Sequence, residues 1–218
     1  DTGRLPVLYM PDGGIEEDFL HVAGLLQVGI GNGTMRPFIL VGVENTQRRR
    51  DLTGPTTRDD DRKIAPTVGG SAAFRTFLRD ELRPLVNARW RTTRETAIVG
   101  ESLAGLFIVE TFLLEPGLFD SYLAFDPSLW WNGEALVHGA GARLRARAAG
   151  SRSALWLATS SQPDIAAATA RLADTVRAVA APGVRLHLEP MPAESHGTIY
   201  HPAALRAFRA LFGPAPAR

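Results

Sequence analysis

The residues best suited to chemistry lie in the run Gly100-Glu101-Ser102-Leu103-Ala104-Gly105. A β-branched stretch, Ala97-Ile98-Val99, leads into it, and helical apolar spacing follows. A serine set among small residues where a strand turns into a helix describes a nucleophile elbow. The turn leaves no room for bulky neighbours, and the hydroxyl is pushed out above the strand end. The first turn of the helix also has backbone N–H groups without intrahelical acceptors, a site for a developing oxyanion. The same spacing fits an ordinary strand–helix turn in which Ser102 caps the helix. Its partners decide between the two.

A serine nucleophile needs a base, usually histidine. Of the five histidines, His21 falls on the first expected helix, His138 on another, His187 in a strand and His201 at the start of the last helix. His196 alone sits in the loop after the final strand, and it comes last in the chain order Ser, acid, His of an α/β-hydrolase. Three carboxylates are open for the acid. Asp164 is the first after the penultimate strand and is the expected third member, although it would equally serve as a helix cap. Asp126, after the preceding strand, and Glu194, beside His196, are the alternatives. A buried acid would fix the imidazole tautomer and stabilise its charged form. The oxyanion donors of such a site are the N–H after the nucleophile and one from the loop after an early strand, here Leu103 and Gly13. Asp12-Gly13-Gly14 reads otherwise as a simple tight turn.

The elements that must position these residues alternate along the chain. Apolar runs at 5–10, 38–43, 97–99, 122–125 and 154–158 read as buried strands, and 184–189 alternates as a more exposed one. Helical spacing falls at 16–30, 71–89, up to 114 after the elbow, 133–149 (weakly), 164–180 and 203–212. Residues 44–70 form a long irregular stretch of mixed charge, expected to be mostly solvated surface. Alternating strands and helices imply right-handed crossovers and a doubly wound parallel sheet with its site at the carboxyl ends of the strands. Every candidate residue lies in such a loop. At 218 residues with 45% hydrophobic content, the expectation is one domain over 1–212 with a Pro/Ala-rich tail at 213–218.

A net charge of +1 gives no reason to expect nucleic acid or an anionic membrane as partner, and the absence of cysteine excludes disulfides and thiolate metal sites. No transmembrane-length run or signal peptide is visible, and the compartment is not readable. No clustered histidine and carboxylate spacing points to a metal, neither phosphate-loop pattern is present, and no cofactor is expected.

Five stretches in order resemble the esterase D-like (putative esterase) group of α/β-hydrolases, in particular its siderophore (enterochelin-type) esterase branch. They are residues 6–13; 41–46 with 50–53; 100–107; Phe119-Asp120-Ser121-Tyr122 with Pro127-Ser128-Leu129-Trp130-Trp131; and Glu194-Ser195-His196-Gly197. The resemblance implies an α/β-hydrolase fold, Ser102 as nucleophile, His196 as base, and Gly13 and Leu103 as oxyanion donors. It further implies Arg50 beside the substrate, holding electron-rich catecholate rings, and Trp130 as a pocket wall. The substrate would be a small-molecule ester: a catecholate siderophore first, an aryl or short-chain acyl ester second, a carbohydrate-linked acyl ester third.

The sequence departs from the family at Ala104, where glycine is usual, and at Asp126, where serine is common. It also begins almost at the strand 5–10, without the usual antiparallel front strands: either it is a fragment, or the domain is trimmed to about six strands with an altered edge. An uncovered edge would favour pairing with a second copy. The alternative of another class is a non-catalytic binding module on the same scaffold. It predicts a Ser102 no more reactive than any surface serine.

Overall fold

The computed structural model describes residues 3–148, 150–180 and 183–214. Ala149, at the end of one expected helix, and residues 215–218 of the expected tail lie outside them. Six strands form a single sheet: β1 (Leu5–Pro11), β2 (Ile39–Val43), β3 (Thr92–Glu101), β4 (Ser121–Phe125), β5 (Ser153–Thr159) and β6 (Val184–Pro190). Their order is β2-β1-β3-β4-β5-β6 and every neighbouring pair is parallel. The expected α/β class and strand count hold, and the sheet is wholly parallel.

A parallel sheet is covered on both faces, which is why its central strands read as continuous apolar runs. Alternate residues serve opposite layers. Val7, Tyr9, Ile98, Tyr122, Ala124 and Leu155 face one apolar cluster, and Leu8, Met10, Ala97, Val99, Leu123 and Phe125 face the other. The second cluster is closed by α1 (Phe19–Gly31) and by α9 (Tyr200–Phe212). The first is closed by α6 (Ser102–Leu114), α7 (Trp131–Arg145), α8 (Pro163–Val179) and the segment before β3. That segment comprises α4 (Ser71–Phe77), a wide π-helical turn (Leu78–Leu82) and α5 (Arg83–Arg89), where the sequence shows one helix. Helix α6 is buried nearly all round, from Leu103 to Leu113. It is the central helix, and burying each of its large apolar side chains contributes about 1.5–3 kcal/mol. No helix among the described residues is long and apolar enough to cross a membrane.

The stretch 44–70 is more ordered than its composition suggests. It contains α2 (Arg48–Asp51) and α3 (Asp59–Ile64), and Asp51 and Asp61 are buried. Asp61 accepts hydrogen bonds from the Thr56 hydroxyl at 2.5 Å and from the Asn132 N–H at 2.8 Å. Asn132, Gly133 and Glu134 take left-handed φ values of 51°, 60° and 62° at the start of α7. Buried carboxylates need such partners, so mixed charge here marks tethering to α7 as well as solvation.

In the order β2-β1-β3 the chain moves outward one way from β1 to β2 and the other way from β3 onward. The loops after β1 and β3 therefore part, and a crevice opens at the carboxyl ends of these two strands. Ligands of open α/β sheets bind at such a switch point. Asp12 and Gly13 follow one of these strands, and Ser102 follows the other.

Candidate active site

The turn at Ser102 is built by small residues. Glu101 is still extended, at φ −121° and ψ 157°, and Ser102 then takes φ 60°. A left-handed serine is strained by roughly 1–3 kcal/mol and persists only where its surroundings fix it. A methyl on Gly100 would lie 2.6 Å from the Ala104 Cβ. The alanine that replaces the usual glycine thus fills space that Gly100 leaves empty. The Leu103 N–H lies in the first turn of α6, where backbone donors have no intrahelical acceptor.

From this turn a hydrogen-bonded chain runs through His196. Ser102 Oγ is 3.0 Å from His196 Nε2, and His196 Nδ1 is 3.0 Å from Asp126 Oδ2. A carboxylate only accepts, so Nδ1 bears the hydrogen and Nε2 presents its lone pair to the serine hydroxyl. Asp126 is fully buried, at φ 40°, and its other oxygen accepts the Ser160 N–H at 2.6 Å. The loop bearing His196 is anchored to the next strand ends: the Ser161 N–H donates to Glu194 O at 2.9 Å, and the Met191 N–H to Thr159 O at 2.7 Å. Ser128 reaches in as well, its N–H on Ser102 O at 3.0 Å and its hydroxyl 3.5 Å from Ser102 Oγ.

The structure places the three candidate acids differently. The carboxylate hydrogen-bonded to His196 is Asp126, not Asp164. The chain turns away after β5, leaving Asp164 exposed in the first turn of α8, where its charge suits the helix dipole. Strand β4, by contrast, lies directly beside β3, so the residue after β4 faces the serine. Glu194 contributes its main-chain carbonyl rather than its carboxylate.

Gly13 does not offer a free donor, because its N–H is bonded to Val43 O at 3.0 Å as an extension of the β1–β2 pairing. The neighbouring Gly14 N–H is held by Glu17 Oε2 at 2.7 Å. Gly13 is needed for close approach: a Cβ would lie 2.4 Å from Gly42 Cα and 2.5 Å from Val43 N, both backbone atoms that cannot swing aside. Gly13→Ala is therefore expected to destabilise the fold by about 3 kcal/mol, seen as an early urea midpoint rather than a selective loss of kcat.

Arg50 is committed to its neighbour, with Nε and Nη2 at 2.7 and 3.0 Å from the Asp51 oxygens. It lines a cleft of about 360 Å³ beyond β2 together with Val43, Phe74 and Phe77, and that lining does not include Ser102. Trp130 is half-buried against the apolar layer, 6.0 Å from the ring of Trp131. Trp131 is anchored by its indole N–H on Gly54 O at 3.0 Å.

Two charged residues of the site were not singled out from sequence. Arg48, first of three consecutive arginines, holds Asp12 by two hydrogen bonds of 2.8 and 2.7 Å. Burial disfavours its charge, but the Asp12 carboxylate outweighs this and keeps its pKa above the ordinary value. Glu101 precedes the serine and places Oε1 3.3 Å from His196 Nδ1. Burial above all pushes Glu101 up to about 7. Asp126 and Asp18 add to the shift, while His196 and Arg48 oppose it. The hydrogen bond to Asp126 raises the His196 pKa, with burial and Arg48 opposing and the Glu101 and Asp126 charges assisting. Glu101, Asp126 and His196 bring one nitrogen or oxygen each within 4.8 Å of the others. They are already engaged with one another and, through His196, with Ser102.

The chain resembles known proteins in sequence and in structure. The model of a family described as "Putative esterase" matches residues 1–181. The chain is 33% identical over 111 residues to the ferri-bacillibactin esterase BesA of Bacillus subtilis, covering 48% of this chain and 36% of that protein. It is 33% identical over 152 residues to the siderophore triacetylfusarinine C esterase of Aspergillus fumigatus, covering 64% and 50%. It thus spans half or less of each relative's length. Among solved structures, an IroE-like serine hydrolase from Shewanella oneidensis superimposes with a TM-score of 0.86 at 28% identity, over 97% of this chain and 71% of the other.

Proposed function

The chain belongs to the putative esterase family, and from that premise we propose that it is a serine hydrolase of carboxylic esters, acting through an acyl-enzyme. The observation that carries the reading is the unbroken chain from Ser102 Oγ through His196 to buried Asp126, at 3.0 Å and 3.0 Å. Ser102 Oγ attacks the ester carbonyl while its proton passes to His196 Nε2. The tetrahedral oxygen takes the Leu103 N–H. The imidazolium then returns the proton to the departing alkoxide, and water repeats the cycle to release the acid. Asp126 holds the Nδ1–H throughout and stabilises the charge on the ring. Asp164 has no part in this scheme.

A siderophore-type ester is the favoured substrate. Two relatives, named as esterases of ferri-bacillibactin and of the siderophore triacetylfusarinine C, support it. The test compares a catecholoyl-serine ester with p-nitrophenyl butyrate on the same protein, following acid release. The expected kcat/KM is at least about tenfold higher for the catecholate ester. Hydrolysis of the p-nitrophenyl ester alone would keep the esterase and remove the siderophore assignment. No hydrolysis of either, in folded protein, would remove both.

A further inference from the structure

The carboxyl of Glu101 stands outside the hydrogen-bonded chain yet lies against it. Its Oε1 is buried, has no hydrogen-bond partner among the described residues and is 3.3 Å from His196 Nδ1. The Nδ1–H is directed to Asp126, so this contact is electrostatic. A buried carboxyl oxygen without a hydrogen bond is costly, and this one sits one residue before the serine, against the ring that must become charged.

Resting on the reading of Ser102 and His196 as nucleophile and base, we propose that Glu101 is a positioning residue of the site: a second carboxyl that shares with Asp126 the positive charge of His196. The Ser102 O–H bond breaks as the Oγ–acyl bond forms, and the proton ends on Nε2. The Nδ1–H stays in place between Asp126 Oδ2 and Glu101 Oε1, and neither carboxyl receives a proton. Asp126 supplies direction through its hydrogen bond, and Glu101 supplies charge when it is ionised.

The charged and titratable groups around Glu101 come from five elements or loops. They are His196 after β6, Asp126 after β4, Asp18 before α1, Arg48 on α2 (itself paired with Asp12), and the buried Tyr200 hydroxyl on α9. Burial holds Glu101 neutral below about 7, and it becomes anionic above. Two interacting groups therefore titrate in the range where the base must lose its proton, and the observed values belong to the pair. The same shift acts on stability. A carboxyl raised from 4.5 to about 7 on folding costs the native state stability as pH rises across that interval. Glu101→Gln, similar in volume and neutral, avoids that cost and should fold at least as well as wild type at pH 8.

The experiment follows the His196 ring resonances by NMR over pH 5–9 (about the range in which histidine titrates) in wild type and Glu101→Gln. It is paired with kcat/KM profiles for these two proteins, Asp126→Asn, and the double variant. Removing the anion should let His196 release its proton earlier. Both its titration and the acid limb of kcat/KM should move down by about half a pH unit or more in Glu101→Gln. The double variant should fall at least about tenfold below Asp126→Asn, because Glu101 supports the ring when Asp126 cannot. Superimposable His196 titrations, or equal rates for Asp126→Asn and the double variant, would overturn the proposal. Should wild type turn over no ester, the reading of Ser102 fails on that result, and the His196 titration still decides the role of Glu101.

Discussion

Ser102→Ala is expected to lower kcat/KM on an ester substrate by about 10⁵-fold or more, with the fold intact. The magnitude follows from the loss of the only atom that forms the acyl bond. What remains is the donor at Leu103 and binding. His196→Ala should fall nearly as far, and the double variant little further, because nucleophile and base act as one unit. The backbone offers a control that few sites provide. Ser102 sits at φ 60°, where glycine is at ease and serine is strained. Ser102→Gly should therefore be as inactive as Ser102→Ala yet about 1 kcal/mol more stable in urea titration. A loss of both activity and stability in Ser102→Gly would mean that the strain is not there.

Asp126→Asn is expected to cost about 10³- to 10⁴-fold in kcat, because an amide facing Nδ1 favours the wrong imidazole tautomer. The effect should appear in kcat rather than KM, since Asp126 is wholly buried behind the ring. Asp164→Asn, on the exposed first turn of α8, should stay within about twofold of wild type and lose at most a few tenths of a kcal/mol of dipole interaction. Steady-state kinetics on the two variants separate the sequence expectation from the geometry: a large loss in Asp164→Asn with a small one in Asp126→Asn would reverse the assignment.

The contrast between these aspartates shows what the sequence could and could not convey. Strand and helix types were legible because every central strand is buried on both faces and every large helix shows an apolar stripe or is buried throughout. Ser102 and His196 were legible because each belongs to a residue type with few alternatives in a fixed place along the chain. The carboxylate that meets His196 was not, because the choice depended on spatial order rather than chain order. Strand β4 neighbours β3 in the sheet, so Asp126 is one strand away from the serine, and its left-handed φ of 40° marks a sharp turn there. No periodicity records that. Gly13 was misread for a related reason. The requirement for glycine was visible, but its cause, contact with Gly42 across the β1–β2 pair, is tertiary.

The arginines were hidden by their neighbours. Arg48, Arg49 and Arg50 look alike in a run, yet one helical turn sends Arg48 to Asp12 and leaves Arg50 with Asp51. The irregular appearance of 44–70 concealed that turn. Glu101 was overlooked because the residue between Gly100 and Ser102 is a variable position in the motif. Its burial, its closeness to His196 and its raised pKa become apparent only when α1, α9 and the loops after β4 and β6 close around it.

An activated nucleophile at Ser102 can be detected by covalent labelling without knowledge of the substrate. The protein is incubated at pH 8 with a fluorophosphonate, digested, and the modified residue identified by mass spectrometry, with Ser102→Ala and His196→Ala treated in parallel. One adduct is expected, on Ser102, absent from Ser102→Ala and strongly reduced in His196→Ala. Folded wild-type protein that takes no label, or takes it equally with and without His196, would contradict an activated Ser102.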